Sequence, residues 1–92
     1  MRIHTTRQLG SVLRSRRKDL HLTQSALAEA AEVTRQWVAA LEKGKPTAEI
    51  GRCLRVIDAL ELDVLLELRP SDPTHDAAAH DLDRLLHQFK HR

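Results

Sequence analysis

Two threonines, Thr23 and Thr34, limit what this chain can fold into more than any other feature. Each precedes a run of good helix formers, and a hydroxyl at such a place caps the free N–H groups of the first helical turn. The stretch from Leu22 to Gly44 therefore holds two helix starts. Only about two turns of helix and a short connector separate them. Helices this short and this close must cross steeply. That is the layout of a helix-turn-helix, whose second helix is the one presented to a DNA major groove.

The finer pattern agrees. Leu27, Ala28 and Ala31 fall on one face of the first of these helices, and Val38 and Leu41 on the inward face of the second. Ala28 is small where two helices approach closely, and Val33 can plug the angle of the turn. Arg35, Gln36, Ala39, Ala40 and Lys43 are left on the outside of the second helix. Arginine can donate two hydrogen bonds to guanine and glutamine can pair with adenine, while alanines let a backbone approach base edges and thymine methyls. An ordinary two-helix corner with a solvated polar face is the simpler alternative, and this outward set argues for DNA instead.

Gln24, Ala28, Val33, Val38, Leu41 and the ending Glu42-Lys43-Gly44 resemble the Cro/C1-type (xenobiotic-response-element) helix-turn-helix family, from about Thr6 to Leu60. The resemblance implies that Gln24 opens the second helix and binds phosphate, and that Arg35 and Gln36 are the first base readers. Ala39, Ala40 and Lys43 would complete the reading face, with Thr34, Lys43, Lys45 and Thr47 toward the DNA backbone. It also implies that Arg17 pairs with Glu42, locking the first helix of the domain to the recognition helix through a bidentate bond. Two readings of Trp37 stand side by side: packing at the helix edge, or contact with DNA sugar-phosphate or a base methyl at the rim of the groove. One departure is Glu32, where the family usually has glycine because the turn wants positive φ. A side chain there is strained by about 1 kcal/mol.

Composition sets outer bounds. Ninety-two residues make one small domain. No apolar run is long enough for a membrane span and no signal-peptide pattern opens the chain, so a cytoplasmic location is expected. The single cysteine, Cys53, rules out an internal disulfide and reads as a small buried hydrophobe. Charge is uneven: residues 1–58 carry eleven Lys/Arg against six Asp/Glu, whereas residues 59–92 carry four against seven. The basic part can meet phosphates; the acidic part must do something else.

Along the chain, residues 1–5 read as a frayed arm or a short strand. A first helix is expected from Arg7 to about Leu20 behind Thr5 or Thr6, with Leu9, Val12, Leu13 and Leu20 as its apolar stripe. Arg14, Arg16, Arg17 and Lys18 crowd its second half, where the helix dipole favours cations. His21 ends that helix. Gly44 ends the recognition helix as a C′ glycine does. Another helix is expected from Ala48 to about Leu60, capped by Thr47, with Ile50, Leu54 and Ile57 inward and Cys53 and Leu60 as further inward candidates. Then the period changes to two: Leu62, Val64, Leu66 and Leu68 alternate with Asp63, Glu67 and Arg69 up to Pro70. A lone strand leaves its backbone unpaired, so the same strand of a second copy is the economical partner. Continuation of the preceding helix is the alternative.

The strand's position, directly behind a helix-turn-helix, resembles the HipB-type antitoxins, in which this segment forms an intermolecular β-lid in the dimer. After Pro70 and Pro73 a tail follows, in which Leu82, Leu85, Leu86 and Phe89 keep i, i+3, i+4, i+7 spacing. Such an amphipathic helix either packs on its own dimer or docks in a partner's groove.

The expected architecture is mainly α: four or five helices of the Cro/C1 type plus one C-terminal β-strand paired across a homodimer. Residues 1–61 form the DNA-binding domain, 62–70 the dimerising strand, and 71–92 the linker and partner-binding tail. No nucleophile–base pair, glycine loop for phosphates or carboxylate dyad is present, so no enzyme and no cofactor are expected. His75, His80, His87 and His91 lack a third ligand at suitable spacing, which argues against a metal. Resemblance implies an antitoxin that binds a pseudo-palindromic operator, represses its own operon and restrains a HipA-like serine/threonine kinase. The competing class is a stand-alone transcriptional repressor with no toxin partner.

Overall fold

The computed structural model describes residues 1–70. They form four helices: α1 (Thr6–Asp19), α2 (Gln24–Ala31), α3 (Arg35–Glu42) and α4 (Ile50–Ala59). The expected tail helix with Leu82, Leu85, Leu86 and Phe89 lies outside the described residues. None of the described helices is long and apolar enough to cross a membrane.

Three of the four starts are set by threonines. Thr5 accepts from the Gln8 backbone N–H at 3.0 Å, and the Gln8 side chain reaches back to the backbone N–H of Thr5 at 3.2 Å, closing a capping box. Thr23 accepts from Ala26 at 3.0 Å and Thr34 from Trp37 at 3.1 Å. The fourth start corrects the sequence reading. Helix α4 begins at Ile50 behind Glu49, with no side-chain cap, and Thr47 sits exposed in the connector. Two residues are lost from the expected helix because the chain must first turn out of α3.

All four helices end in one way. His21, Glu32, Gly44 and Glu61 take positive φ, at 57°, 58°, 88° and 58°. The next residue's N–H then reaches back five positions: Leu22 to Arg17, Val33 to Ala28, Lys45 to Ala40 and Leu62 to Ile57, at 2.9–3.1 Å. This is the Schellman closure, and it turns the chain sharply while satisfying carbonyls the helix leaves free. At three of the ends the residue after the bend is apolar: Leu22, Val33 and Leu62 all pack against the core. Only Gly44 takes the left-handed conformation without a Cβ penalty. The bend at Glu61 also excludes continuation of α4 into residues 62–70.

The core is aliphatic. Leu13, Leu27, Val38, Leu41, Val56 and Leu60 are its most enclosed members, joined by Ala28, Ala31, Cys53 and Ile57. Removing each large side chain from water contributes about 1.5–3 kcal/mol. Helix α2 packs on both α3 and α4, and α1 packs on α3. The inward face of α4 differs in part from the one expected: Cys53, Ile57 and Leu60 point in and Val56 joins them, whereas Ile50 is 75% exposed and Leu54 49%. Ile50 and Leu54, four residues apart, lie on a neighbouring stripe of the helix and face an open groove shared with Ile3, Leu9, Val64 and Leu65. Residues 62–70 form no helix, and among the described residues no hydrogen bond engages the backbone of 63–70.

Candidate nucleic-acid interface

The site is built on the packing of α1 against α3. Gly10 allows it: a Cβ there would lie 2.4 Å from the Leu41 carbonyl oxygen and 2.6 Å from that of Glu42. Sequence reasoning passed over this residue. A glycine inside an otherwise good helix was its available signal, since such a glycine costs stability unless close packing requires it. Thr6 adds a second tie, its hydroxyl donating to the Gly44 carbonyl at 2.8 Å.

Between these ties sits a buried ion pair. Arg17 Nε donates to Glu42 Oε2 at 2.8 Å and Nη2 to Oε1 at 3.0 Å, while Nη1 donates to the Leu22 carbonyl at 2.8 Å. Both residues are only 9% exposed. Burial by itself pushes the Glu42 carboxyl up. The Arg17 bond, the Gln24 amide and the charges of Arg17 and Arg14 together outweigh it and hold the group below the usual carboxylate range. The hydrogen bond to Glu42, opposed by burial and reinforced by the carboxylate charge, holds Arg17 above its ordinary value. The pair therefore stays charged, and its three-way geometry fixes α1, α3 and the α1–α2 connector together.

Gln24 stands at the helix start the resemblance implied but makes a contact the sequence did not reveal. It opens α2, half-buried, and its Nε2 donates to Glu42 Oε1 at 3.3 Å. One of its two amide hydrogens is thus directed at the ion pair, leaving the other as the group a phosphate could use.

On α3, Arg35 and Gln36 are exposed on the first turn, and Ala39 and Ala40 are half-buried beyond them. Trp37 is half-buried against the core, so its packing role is realised in the free chain. Lys43, Lys45 and Thr47 follow, all exposed. The only acid on α3, Glu42, is withdrawn from the surface, which leaves the outer face with positive or neutral groups. Neither α2 nor α3 has an acidic residue in its first turn, where one would normally favour the helix dipole. Two positive helix ends with free N–H groups suit phosphate oxygens. Arg16 differs from its neighbours Arg14 and Lys18: its Nε donates to the Leu60 carbonyl at 3.0 Å, so it serves the end of α4.

This assembly defines a helix-turn-helix corner with a basic, open recognition helix. Residues 8–69 match the family described as Helix-turn-helix domain, and the chain belongs to that family. It is 41% identical over 66 residues to the uncharacterized HTH-type transcriptional regulator y4mF of Sinorhizobium fredii, covering 70% of this chain and 87% of that protein. Among solved structures it is similar to a HipB-O4 20mer complex and to a HipA-HipB-O2-O3 complex. Each has a TM-score of 0.71 at 20% identity and covers 76% of this chain and 99% of the matched chain. The fold is thus the HipB-like helix-turn-helix fold, and the protein is a helix-turn-helix transcriptional regulator.

Proposed function

We propose that this chain is a homodimeric, sequence-specific DNA-binding antitoxin that represses its own operon and restrains a HipA-like serine/threonine kinase. The observation that carries the DNA part is the buried Arg17–Glu42–Gln24 cluster beneath an α3 face that bears no exposed acid. Arg35 and Gln36 read bases, with Ala39 and Ala40 allowing close approach; Gln24, Thr34, Trp37, Lys43, Lys45 and Thr47 hold the DNA backbone. In this reading Leu62, Val64, Leu66 and Leu68 pair with the same residues of a second copy. That pairing sets two recognition helices about one DNA turn apart on a pseudo-palindromic operator. Support comes from the exposed Val64, Leu65, Leu66 and Leu68 and from the backbone of 63–70, which makes no hydrogen bond among the described residues. It comes also from the likeness to HipB, which one matched structure holds in complex with an O4 20mer and another together with HipA and O2-O3. The relative from Sinorhizobium fredii favours a second reading, a stand-alone repressor, since it is described only as a transcriptional regulator.

One experiment separates the two. Tagged full-length chain and a version ending at Pro70 are recovered from the protein's own cells, and their partners and DNA are identified. A kinase of HipA type recovered with the full-length chain supports the antitoxin, and its loss on truncation assigns it to the tail. Recovery of promoter DNA alone by both versions favours the stand-alone repressor. DNA affinity that does not fall with added salt would remove both readings.

A further inference from the structure

The four left-handed helix ends are not equally provided for. Gly44 needs no help, but His21, Glu32 and Glu61 carry side chains, and at each of these an arginine donates to the carbonyls. Arg17 reaches the Leu22 carbonyl at 2.8 Å and Arg16 the Leu60 carbonyl at 3.0 Å. Arg55, on α4, reaches the turn between α2 and α3. Its Nε donates to the Ala31 carbonyl at 3.0 Å, and its Nη2 lies 3.5 Å from the Glu32 carbonyl oxygen. Helix α2 has no basic residue in its own last turn to meet the negative end of its dipole.

We propose that Arg55 is a positioning residue for DNA reading: by holding the Ala31 and Glu32 carbonyls it fixes the glycine-free turn, and through it the seat of α3. Only Glu32, Val33 and Thr34 separate the two helices, so a backbone rotation at Glu32 passes directly into α3. Helix α3 is about 12 Å long, and a swing of about 10° at its base moves its far end by about 2 Å. Base reading tolerates far less than that, since a productive contact set must hold to about 0.5 Å. Arg55 is thereby the link that ties α4 to the strained point of the corner. The part of this inference that concerns DNA rests on the function proposed above.

The test uses the full-length chain with three readouts. These are amide exchange, the emission of Trp37 (the only tryptophan, seated on α3), and affinity for a labelled duplex from the region upstream of its own gene. Arg55→Ala should speed exchange of the Val33 amide about tenfold relative to the Leu22 amide, the loss of one part-buried hydrogen bond from a charged donor. Trp37 emission should shift, duplex affinity should fall by a similar factor, and the helical circular dichroism should remain. Arg55→Lys should restore part of each. Adding Glu32→Gly to Arg55→Ala should restore most, because glycine holds the turn without a clamp.

An unchanged Val33-to-Leu22 ratio overturns the proposal. So does faster Val33 exchange with Trp37 emission unmoved, which would make Arg55 a helix cap and nothing more. If Arg55→Ala does not fold, Arg55→Lys carries the same comparison, with equal exchange at both amides as the overturning result. Should the native protein prefer the upstream duplex no more than a shuffled one, the function fails. The exchange ratio and the Trp37 emission still decide on Arg55.

Discussion

The two sides of this small domain are finished to different degrees. On the reading side, where α1 and α3 meet, every buried side-chain nitrogen and oxygen among the described residues has a hydrogen-bond partner, and the helices approach to the limit a glycine allows. On the far side, Ile50, Leu54, Val64, Leu65 and Leu66 lie exposed around an open groove, beside a segment whose backbone makes no hydrogen bond among the described residues. The first side is specified within one chain. The second has the chemistry of a surface awaiting cover, since contiguous apolar surface beside unpaired backbone is what soluble proteins avoid leaving open. Substitutions on the two sides should therefore fail differently: on the reading side by loss of stability, on the far side by loss of assembly.

The largest effect is expected at Glu42. Glu42→Ala leaves the Arg17 guanidinium buried without its partner, a loss on the order of 3–5 kcal/mol in urea unfolding. The same residue gives the reading side its pH dependence. Because the folded state holds the Glu42 carboxyl below its ordinary range, its contribution is complete above about pH 4.3, the unfolded value, and is lost as pH falls through the depressed folded value. Arg17 stays protonated throughout and adds no slope of its own. Glu42→Gln should abolish that part of the acid loss. A native slope unchanged in Glu42→Gln would mean that other carboxylates carry it.

Gly10→Ala comes next. A Cβ 2.4 Å from a backbone oxygen cannot be relieved by rotating a side chain, so α1 must move off α3. An overpacking cost of about 1–3 kcal/mol is expected, together with weakened DNA binding. Unchanged stability would show that the helices have room the geometry denies. Gly10 also marks the limit of what was legible in the residues. Thr23, Thr34 and the apolar positions at helical spacing are local signals, and they place α2 and α3 to within a residue. The Arg17–Glu42 pair, 25 positions apart, was reached only through family resemblance. Gly10, Gln24, Arg16 and Arg55 act through contacts between distant helices, and nothing in their immediate neighbours announces this. The inward face of α4 was misread at Ile50 and Leu54 for a related reason. Ile50 and Leu54 are as apolar as Val56 and Leu60, and residue type alone does not say which of two apolar faces meets the core and which stays exposed.

On the far side, Leu66→Lys should separate assembly from folding. Leu66 is 95% exposed in the single chain, so its replacement removes almost nothing from the monomer, about 0.5 kcal/mol at most. A lysine in a paired strand of a dimer would, by contrast, put like charges together across the twofold axis. Light scattering should then report a monomer with native helical content. A dimer that survives would place the interface elsewhere on this face, and a chain that unfolds would show that the two sides are not independent.

The smallest effect lies where the two sides meet. Glu61 closes α4 in the left-handed conformation and turns the chain toward residues 62–70. Its side chain is 78% exposed and 3.7 Å from Arg16, a contact too loose and too well solvated to contribute much. Glu61→Gly therefore removes a conformational strain of about 1 kcal/mol while giving up little. A gain of somewhat under that is expected, because glycine also frees the unfolded chain. Arg16 donates to the Leu60 carbonyl, not to the Glu61 side chain alone, so this clamp should persist in the variant. A thermal midpoint raised with dimerisation unchanged would show Glu61 serving only to end the helix. A midpoint raised while the dimer weakens would show that the strained bend aims the following segment at its partner, and the boundary between the two sides would then itself be part of the interface.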